Sequence, residues 1–376
     1  MRQTPAAFIY DDTMSKHVLS PSHPMQPTRL RYTYELASSY GLIDSTLLQE
    51  PRLASEAEIL QFHSDTYVNA TRRLSQGDIT LQPSLFGFGS GDNPVYPGMY
   101  DAAILSTGGS MKGIDLLLSG QVNVAFNISG GLHHAMPAYT SGFCIFNDPV
   151  IAIMELLRKG KKVAYVDIDC HHGDGVQHAF YDTSDVLTIS LHESGEFLFP
   201  GTGFTEEIGT GSGQGYSVNV PLFPYTSDKA YLWAFQQVVP PLIEAYQPDV
   251  LVTQLGVDSH YHDPITHLAL TVQGFSSVVS EFVGMAPMWL ATGGGGYDLE
   301  AVARAWTSAW SIMSERKLAD DIPASYHSNH SVSKLNDHQE LPDMVIASQD
   351  QAQAFAELSV RAIHNLIFPI IGAASP

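Results

Sequence analysis

Tyr165-Val-Asp-Ile-Asp-Cys-His-His-Gly-Asp174 continues an apolar run that begins at Val163. A short apolar run of this kind reads as a buried strand that opens into a polar loop. Side chains two apart in an extended segment point the same way, which would set Asp167, Asp169 and His171 on one face. Two carboxylates so close beside apolar sequence repel each other and lose hydration, and a divalent cation or a hydrogen-bonded imidazole relieves both costs. A single Asp or His beside a strand commonly serves as a cap or turn residue. Here six of ten residues are Asp, His or Gly, and a metal site is the first expectation.

The flanking sequence alternates strand and helix patterns. Upstream, a helix over about 100–118 leads to a strand over Val122–Asn127 and to Gly130-Gly-Leu-His-His-Ala135; Ser141-Gly-Phe-Cys144 and a helix over 149–159 follow. Downstream lie strands at 186–191 and 216–220, a helix at 231–246, and an apolar strand at 249–256 that ends at Asp258. A strand at 288–291 runs into Thr292-Gly-Gly-Gly-Gly-Tyr-Asp298, then a helix to about 313. This alternation predicts an α/β fold, a mainly parallel sheet with helices on both faces, and sites in such sheets lie at the carboxyl ends of strands. Before this core, Ala7–Tyr10 reads as a first strand and His17–Pro27 as a proline-rich loop; helices are expected over 29–40, 56–62 and 65–74. The Gly/Pro loop 83–98 is long enough to suggest function, with Asp92 its residue of interest. Residues 315–350 read as a polar, turn-rich stretch with surface histidines around Ser325–His330, and 351–366 as a closing helix. No linker divides the chain, so one domain spanning 1–376 is expected, with its core at about 10–310 and an extension at 315–376.

Composition narrows the function classes. With 376 residues, 44% hydrophobic, the chain can bury a large core, and its formal charge of -21 disfavours nucleic acid as a partner. Two cysteines, Cys144 and Cys170, are too few for a disulfide framework and point to a reducing, cytoplasmic setting. No apolar run approaches the roughly 18 residues of a membrane span, so no membrane partner is expected.

Asp169, His171 and Asp258 make a three-ligand set for zinc or another divalent first-row ion, leaving room for water and a substrate oxygen. His133 and His134 can act as general base and as a second acid/base group, with Asp167 and Asp174 as spare acids to orient them. The four glycines let Tyr297 project over a pocket, where its hydroxyl can bond a developing oxyanion. Together these parts suffice for metal-assisted amide hydrolysis.

From Tyr10 to about Trp310 the chain resembles the histone deacetylase family, in its class I-like and bacterial acetoin-utilisation branch. The match is carried by His23-Pro-Met-Gln-Pro-Thr-Arg29, Ser106-Thr-Gly-Gly109, Gly130–His134, Ser141–Cys144, Asp167–Gly175, Phe199-Pro-Gly-Thr-Gly203, Gln254-Leu-Gly-Val-Asp258 and Gly293–Tyr297. The resemblance implies an arginase-like α/β fold with an eight-stranded sheet, and zinc-dependent removal of acetyl or other short acyl groups from lysine side chains, Fe2+ or Co2+ being possible substitutes. It implies Asp169, His171 and Asp258 as zinc ligands, Asp167 and Asp174 as partners of His133 and His134, and Tyr297 as the residue that polarises the acyl carbonyl. Phe143, Gly142 and Phe199 would line the lysine tunnel and Asp92 grip substrate backbone at its rim. A structural potassium ion would be held by Asp167, Asp169, His171, Ser190 and Leu191, and a second by Phe180, Thr183, Val186 and Tyr216. Polyamine-specific relatives carry an acidic gatekeeper where this chain has Ile265, which favours an acylated protein or peptide, an acyl-CoA synthetase among the branch's known targets. His260 and His262 stand near the expected rim, as substrate-tuning residues or as plain loop. The competing readings are deacylation of polyamines, other small amides or longer acyl-lysines, a two-metal ureohydrolase on the same fold, and a non-catalytic acyl-lysine binder.

Overall fold

Val163–Asp167 is buried at every position, as a strand covered on both faces requires. It is the fourth of eight strands: β1 (Ala6–Ile9), β2 (Leu48–Gln49), β3 (Val124–Asn127), β4 (Val163–Asp167), β5 (Val186–Glu193), β6 (Ser217–Leu222), β7 (Val250–Gln254) and β8 (Met288–Thr292). The computed structural model describes residues 6–16, 18–44, 47–89 and 91–375; His17 of the proline-rich loop and Ser90 of the Gly/Pro loop lie outside the described residues.

The sheet order is β2-β1-β3-β8-β7-β4-β5-β6, and every pairing is parallel, where the sequence predicted a mainly parallel sheet. Register matters most at the carboxyl edge. Asn127 pairs with Thr292, Thr292 with Gln254 and Gln254 with Asp167, so four central strands end level, while β5, paired through Ser190 with Asp167, runs on to Glu193. The loops after β3, β8, β7 and β4 therefore emerge side by side, although sequence scatters them.

Among the helices, α1 (Thr28–Ser39), α2 (Glu56–Ile59), α3 (Asp65–Ser75), α4 (Met99–Leu118), α5 (Asp148–Arg158) and α6 (Asp174–Phe180) belong to the first half. The second half adds α7 (Asp228–Tyr246), α8 (Val272–Glu281), α9 (Leu299–Met313), α10 (Ala324–His327), α11 (Asp343–Leu366) and α12 (Phe368–Ile371). Helices α4 and α5 pack on each other and on the sheet, while α1, α9, α8, α7 and α11 touch in series as a second layer, giving one α/β domain. Their ends obey local chemistry. Asn147 accepts the Val150 amide ahead of α5, Asp298 accepts the Ala301 amide ahead of α9, and Ser55 with Glu58 forms a capping box on α2.

Several expectations change. Strand β4 stops at Asp167, so Asp169 and His171 lie in the loop beyond it and are aligned by loop hydrogen bonds rather than by strand alternation. Helix α2 ends at Ile59 and gives way to a turn before Phe62. The polar stretch is shorter than expected, because α11 begins at Asp343. Only part of its histidine cluster is superficial: His327 is exposed, but His330 stacks on Tyr326 at 3.9 Å and meets Tyr32 at 4.5 Å. One helical stretch, Asp343–Ile371, does have the length and apolar composition to cross a membrane. Part of that character serves the fold, since Ala352, Ala356, Val360 and Ile363 are buried where α11 packs on β6 and α7.

Candidate active site

Four adjacent loops supply the polar groups. After β4 come Asp169 and His171, after β7 Asp258, after β3 His133 and His134, and after β8 Tyr297. Asp169, His171 and Asp258 are all buried, and their ligating atoms lie within 4.8 Å of one another; among the described residues they are the one such cluster. His171 Nδ1 stands 3.0 Å from Asp169 Oδ1 and 3.1 Å from Asp258 Oδ2. The outer oxygens are already committed: Asp169 Oδ2 accepts from Gln254 Nε2 at 2.6 Å and from the Gly295 amide at 2.7 Å, and Asp258 Oδ1 from the Cys170 amide at 2.8 Å.

This donor set suits a divalent cation. Two carboxylates and an imidazole converge on one point with their remaining lone pairs fixed elsewhere, as outer partners fix metal ligands. A Cβ on Gly295 or Gly256 would collide with the Asp258 or Asp169 carboxylate, so the glycines let the backbone close around the ligands. Charge demands the same. Burial pulls the His171 imidazolium down, but its bonds to Asp169 and Asp258 outweigh burial and raise it well above the ordinary value. The two carboxylates thus favour positive charge between them.

Two carboxylate-histidine pairs border the cluster. His133 Nδ1 bonds Asp167 Oδ2 and His134 Nδ1 bonds Asp174 Oδ1, both at 2.7 Å, which turns the two Nε2 atoms toward each other, 3.0 Å apart. Tyr165 donates a further 2.6 Å bond to Asp167. The neighbours split the pair. Burial lowers His133, yet Asp167 and Asp169 overcome it and push it up to about 9, whereas burial and the adjacent His133 hold His134 below its ordinary value. His133 is thus the protonated member of the pair, and His134 Nε2 is the unprotonated nitrogen that faces it.

Tyr297 follows the glycine run, its amide donating to Asp263 Oδ2 at 2.9 Å and the preceding Gly296 carbonyl accepting from Arg29 Nη1 at 2.9 Å. Burial, then Asp258 and Asp169, push its hydroxyl well above its ordinary range, so it remains a neutral donor. Phe143 lies 5.7 Å from the Tyr297 ring and Phe199 lies 5.1 Å from the His134 ring. Phe143 has φ +68°, and its amide is held by Asn93 Oδ1 at 2.9 Å. Gly142 is required where it stands, because a Cβ there would strike the His134 ring. Beside Arg29 and Phe143 a cavity opens, lined also by Leu30, Tyr96, Leu132 and Ile145.

The rim residues are farther out. Asp92 is exposed, its carbonyl accepting from His23 Nε2 at 3.1 Å, and Ile265 is 36% exposed on the loop beyond Asp258. The residues suggested for potassium fall in two places. Asp167 and Ser190 pair across β4 and β5 beside Leu191, Asp169 and His171; Phe180 and Thr183 follow in sequence at the end of α6, with Val186 opening β5 and the Tyr216 carbonyl bonded to the Thr188 amide. His260 is not at the rim. It is buried and bonded through Nε2 to Asp337 Oδ2 at 3.0 Å, which also removes it as the ligand position of a second metal; His262 is exposed. Asp263, Asn93, Tyr165 and Asp337 were not marked by the sequence reading. Tyr165 had a signal, a polar ring in an apolar strand two residues before an acid, but the others reach the site through long-range packing that no local pattern announces.

A family model described as "Histone deacetylase domain" matches residues 23–313. The acetoin utilization protein AcuC of Bacillus subtilis (strain 168) is 39% identical over 329 residues, covering 85% of this chain and 85% of that protein. Histone deacetylase RPD3 of Saccharomyces cerevisiae is 39% identical over 319 residues, 84% of this chain and 73% of that protein. Among solved structures, an HDAC homolog from Aquifex aeolicus has a TM-score of 0.83 at 31% identity, covering 93% of this chain and 99% of that one. An HDAC homolog complexed with SAHA has the same TM-score and coverage at 32% identity.

Proposed function

Because this chain belongs to the histone deacetylase family, and is by that membership a hydrolytic deacetylase, we propose that it removes acetyl or other short acyl groups from lysine side chains of proteins or peptides in the cytoplasm. The observation that carries this reading is that the unprotonated His134 Nε2, the neutral Tyr297 and the Asp169–His171–Asp258 cluster lie together, with Phe143 against Tyr297 and Phe199 against His134 and His171. Two aromatic walls suit the apolar methylenes of a lysine stem, and the half-exposed Ile265 at the outer loop offers no charge to a polyamine's second amine. Both cysteines are free and buried, in keeping with a reducing setting.

Asp169, His171 and Asp258 would hold the ion, zinc by preference for this donor set, with Fe2+ or Co2+ as substitutes. Bound there, a divalent ion supplies Lewis-acid polarisation of the acyl carbonyl and acidification of water. His134 Nε2 takes a proton from the attacking water, its ring oriented by Asp174. Tyr297 donates a hydrogen bond to the carbonyl oxygen as negative charge develops. His133, bonded through Nδ1 to Asp167, gives a proton to the lysine amine as the C–N bond breaks and regains one from His134 across the 3.0 Å Nε2–Nε2 contact, leaving a carboxylic acid and free lysine. Potassium beside Asp167 and Ser190 would stiffen the loop that carries the ligands.

The test is turnover of peptides bearing acetyl-, propionyl-, butyryl-, lactyl- and longer acyl-lysine, beside acetylated polyamines, with and without a chelator. Chelator-sensitive release of acetate from lysine peptides is expected. The relative rates on the longer acyl groups define acyl preference. Hydrolysis of acetylated polyamines with no reaction at acetyl-lysine would overturn the substrate class, and chelator-insensitive turnover the metal assignment.

A further inference from the structure

We propose that Asp337, from the polar segment between α10 and α11, is a positioning residue for Tyr297, acting through His260 and the loop that carries Asp263. The proposal rests on the deacylase reading for Tyr297's role but on separate contacts for the link itself.

Asp337 lies beyond the last matched position of the family model, yet its side chain is only 5% exposed. Three donors from three elements converge on it. Val272 N, at the start of α8, donates to Oδ2 at 2.8 Å; Arg304 Nη1, on α9, donates to Oδ1 at 2.7 Å; and His260 Nε2 lies 3.0 Å from Oδ2. The backbone of Asp337 is clamped as well, its amide donating to Gln273 Oε1 at 3.0 Å and its carbonyl accepting from Gln273 Nε2 at 2.9 Å. The tautomer of His260 follows from its surroundings. Nδ1 accepts the His262 amide at 3.2 Å, so the proton sits on Nε2 and points at Asp337.

From His260 the link reaches the site in two steps. The His260 carbonyl accepts the Asp263 amide at 2.8 Å, and Asp263 divides its carboxylate between the Ile265 amide at 3.1 Å and the Tyr297 amide at 2.9 Å. Asp337 thereby fixes one end of a tight turn whose other function is to hold the backbone of Tyr297. A carboxylate is needed at 337, because three donors face it; Asn would turn an N–H toward one of them.

The test uses the full chain loaded with metal. In Asp337→Asn we expect kcat on an acetyl-lysine peptide to fall roughly ten- to a hundredfold, with KM changed by less than about threefold and metal content unaltered, and in a Tyr297→Phe background the same change should cost less than about threefold more. Equal losses in both backgrounds, or loss of metal, would mean a general structural role and overturn the proposal. His260→Phe cuts the same link from the loop side while keeping ring volume, and should give the same pattern; unchanged kcat would overturn it. Hydrogen exchange supplies a readout that needs no substrate: peptides covering 259–271 and 293–298 should exchange faster in either variant, with 163–171 unchanged. Unaltered exchange at 293–298 refutes the link even if wild-type protein hydrolyses no acyl-lysine, whereas absent turnover with altered exchange refutes the functional reading alone.

Discussion

His134 and Tyr297 border the ligand cluster without joining it, and Asp258 belongs to it, so their losses should separate chemistry from metal binding. His134→Ala removes the unprotonated Nε2 and should lower turnover by roughly a hundred- to ten-thousandfold with metal content kept. Tyr297→Phe removes one hydrogen bond to the oxyanion and should cost roughly a hundred- to a thousandfold, again with metal kept. Asp258→Ala should lose both, because the remaining Asp169 and His171 cannot close the site. Metal analysis beside kinetics checks all three, and zinc retained in Asp258→Ala would refute the ligand set.

The elements that deliver these residues are strand ends and glycine loops, and their tolerance is measurable. Gly295 passes between the Asp169 and Asp258 carboxylates, donating its amide to Asp169. Gly295→Ala should therefore reduce metal affinity at least about tenfold while far-ultraviolet circular dichroism stays native, which metal titration checks. Much at this scale was legible in the sequence. Apolar runs from Val163, at 249–256 and at 288–291 announced strands, and the acids, histidines or glycines just after each announced a shared edge. The limits of the strand pattern were less visible: β4 stops at Asp167 because Asp167 Oδ1 accepts the Asp169 amide and starts the loop, a local competition that periodicity does not report. The two-residue β2 carries too few residues for any period at all.

At the scale of the whole molecule, the alternating pattern and the lack of a dividing linker sufficed to read one α/β domain with its site at the carboxyl ends of the strands. The stretch after α9 was read only as polar and turn-rich, since Asp337 and Arg304 look like ordinary surface residues until α8, α9 and that stretch are packed together. The sheet order carries one more consequence. Asp169 and Asp258 follow neighbouring strands, β4 and β7, but α6, β5, β6 and α7 intervene in sequence. Parallel pairing over such a separation closes a long loop, which is slow and comes late. An ion that needs both acids meets its full ligand set only after that closure. It should then act as a latch on the finished protein: in stopped-flow experiments, zinc in place of chelator should leave the refolding rate within about twofold and slow unfolding at least about tenfold.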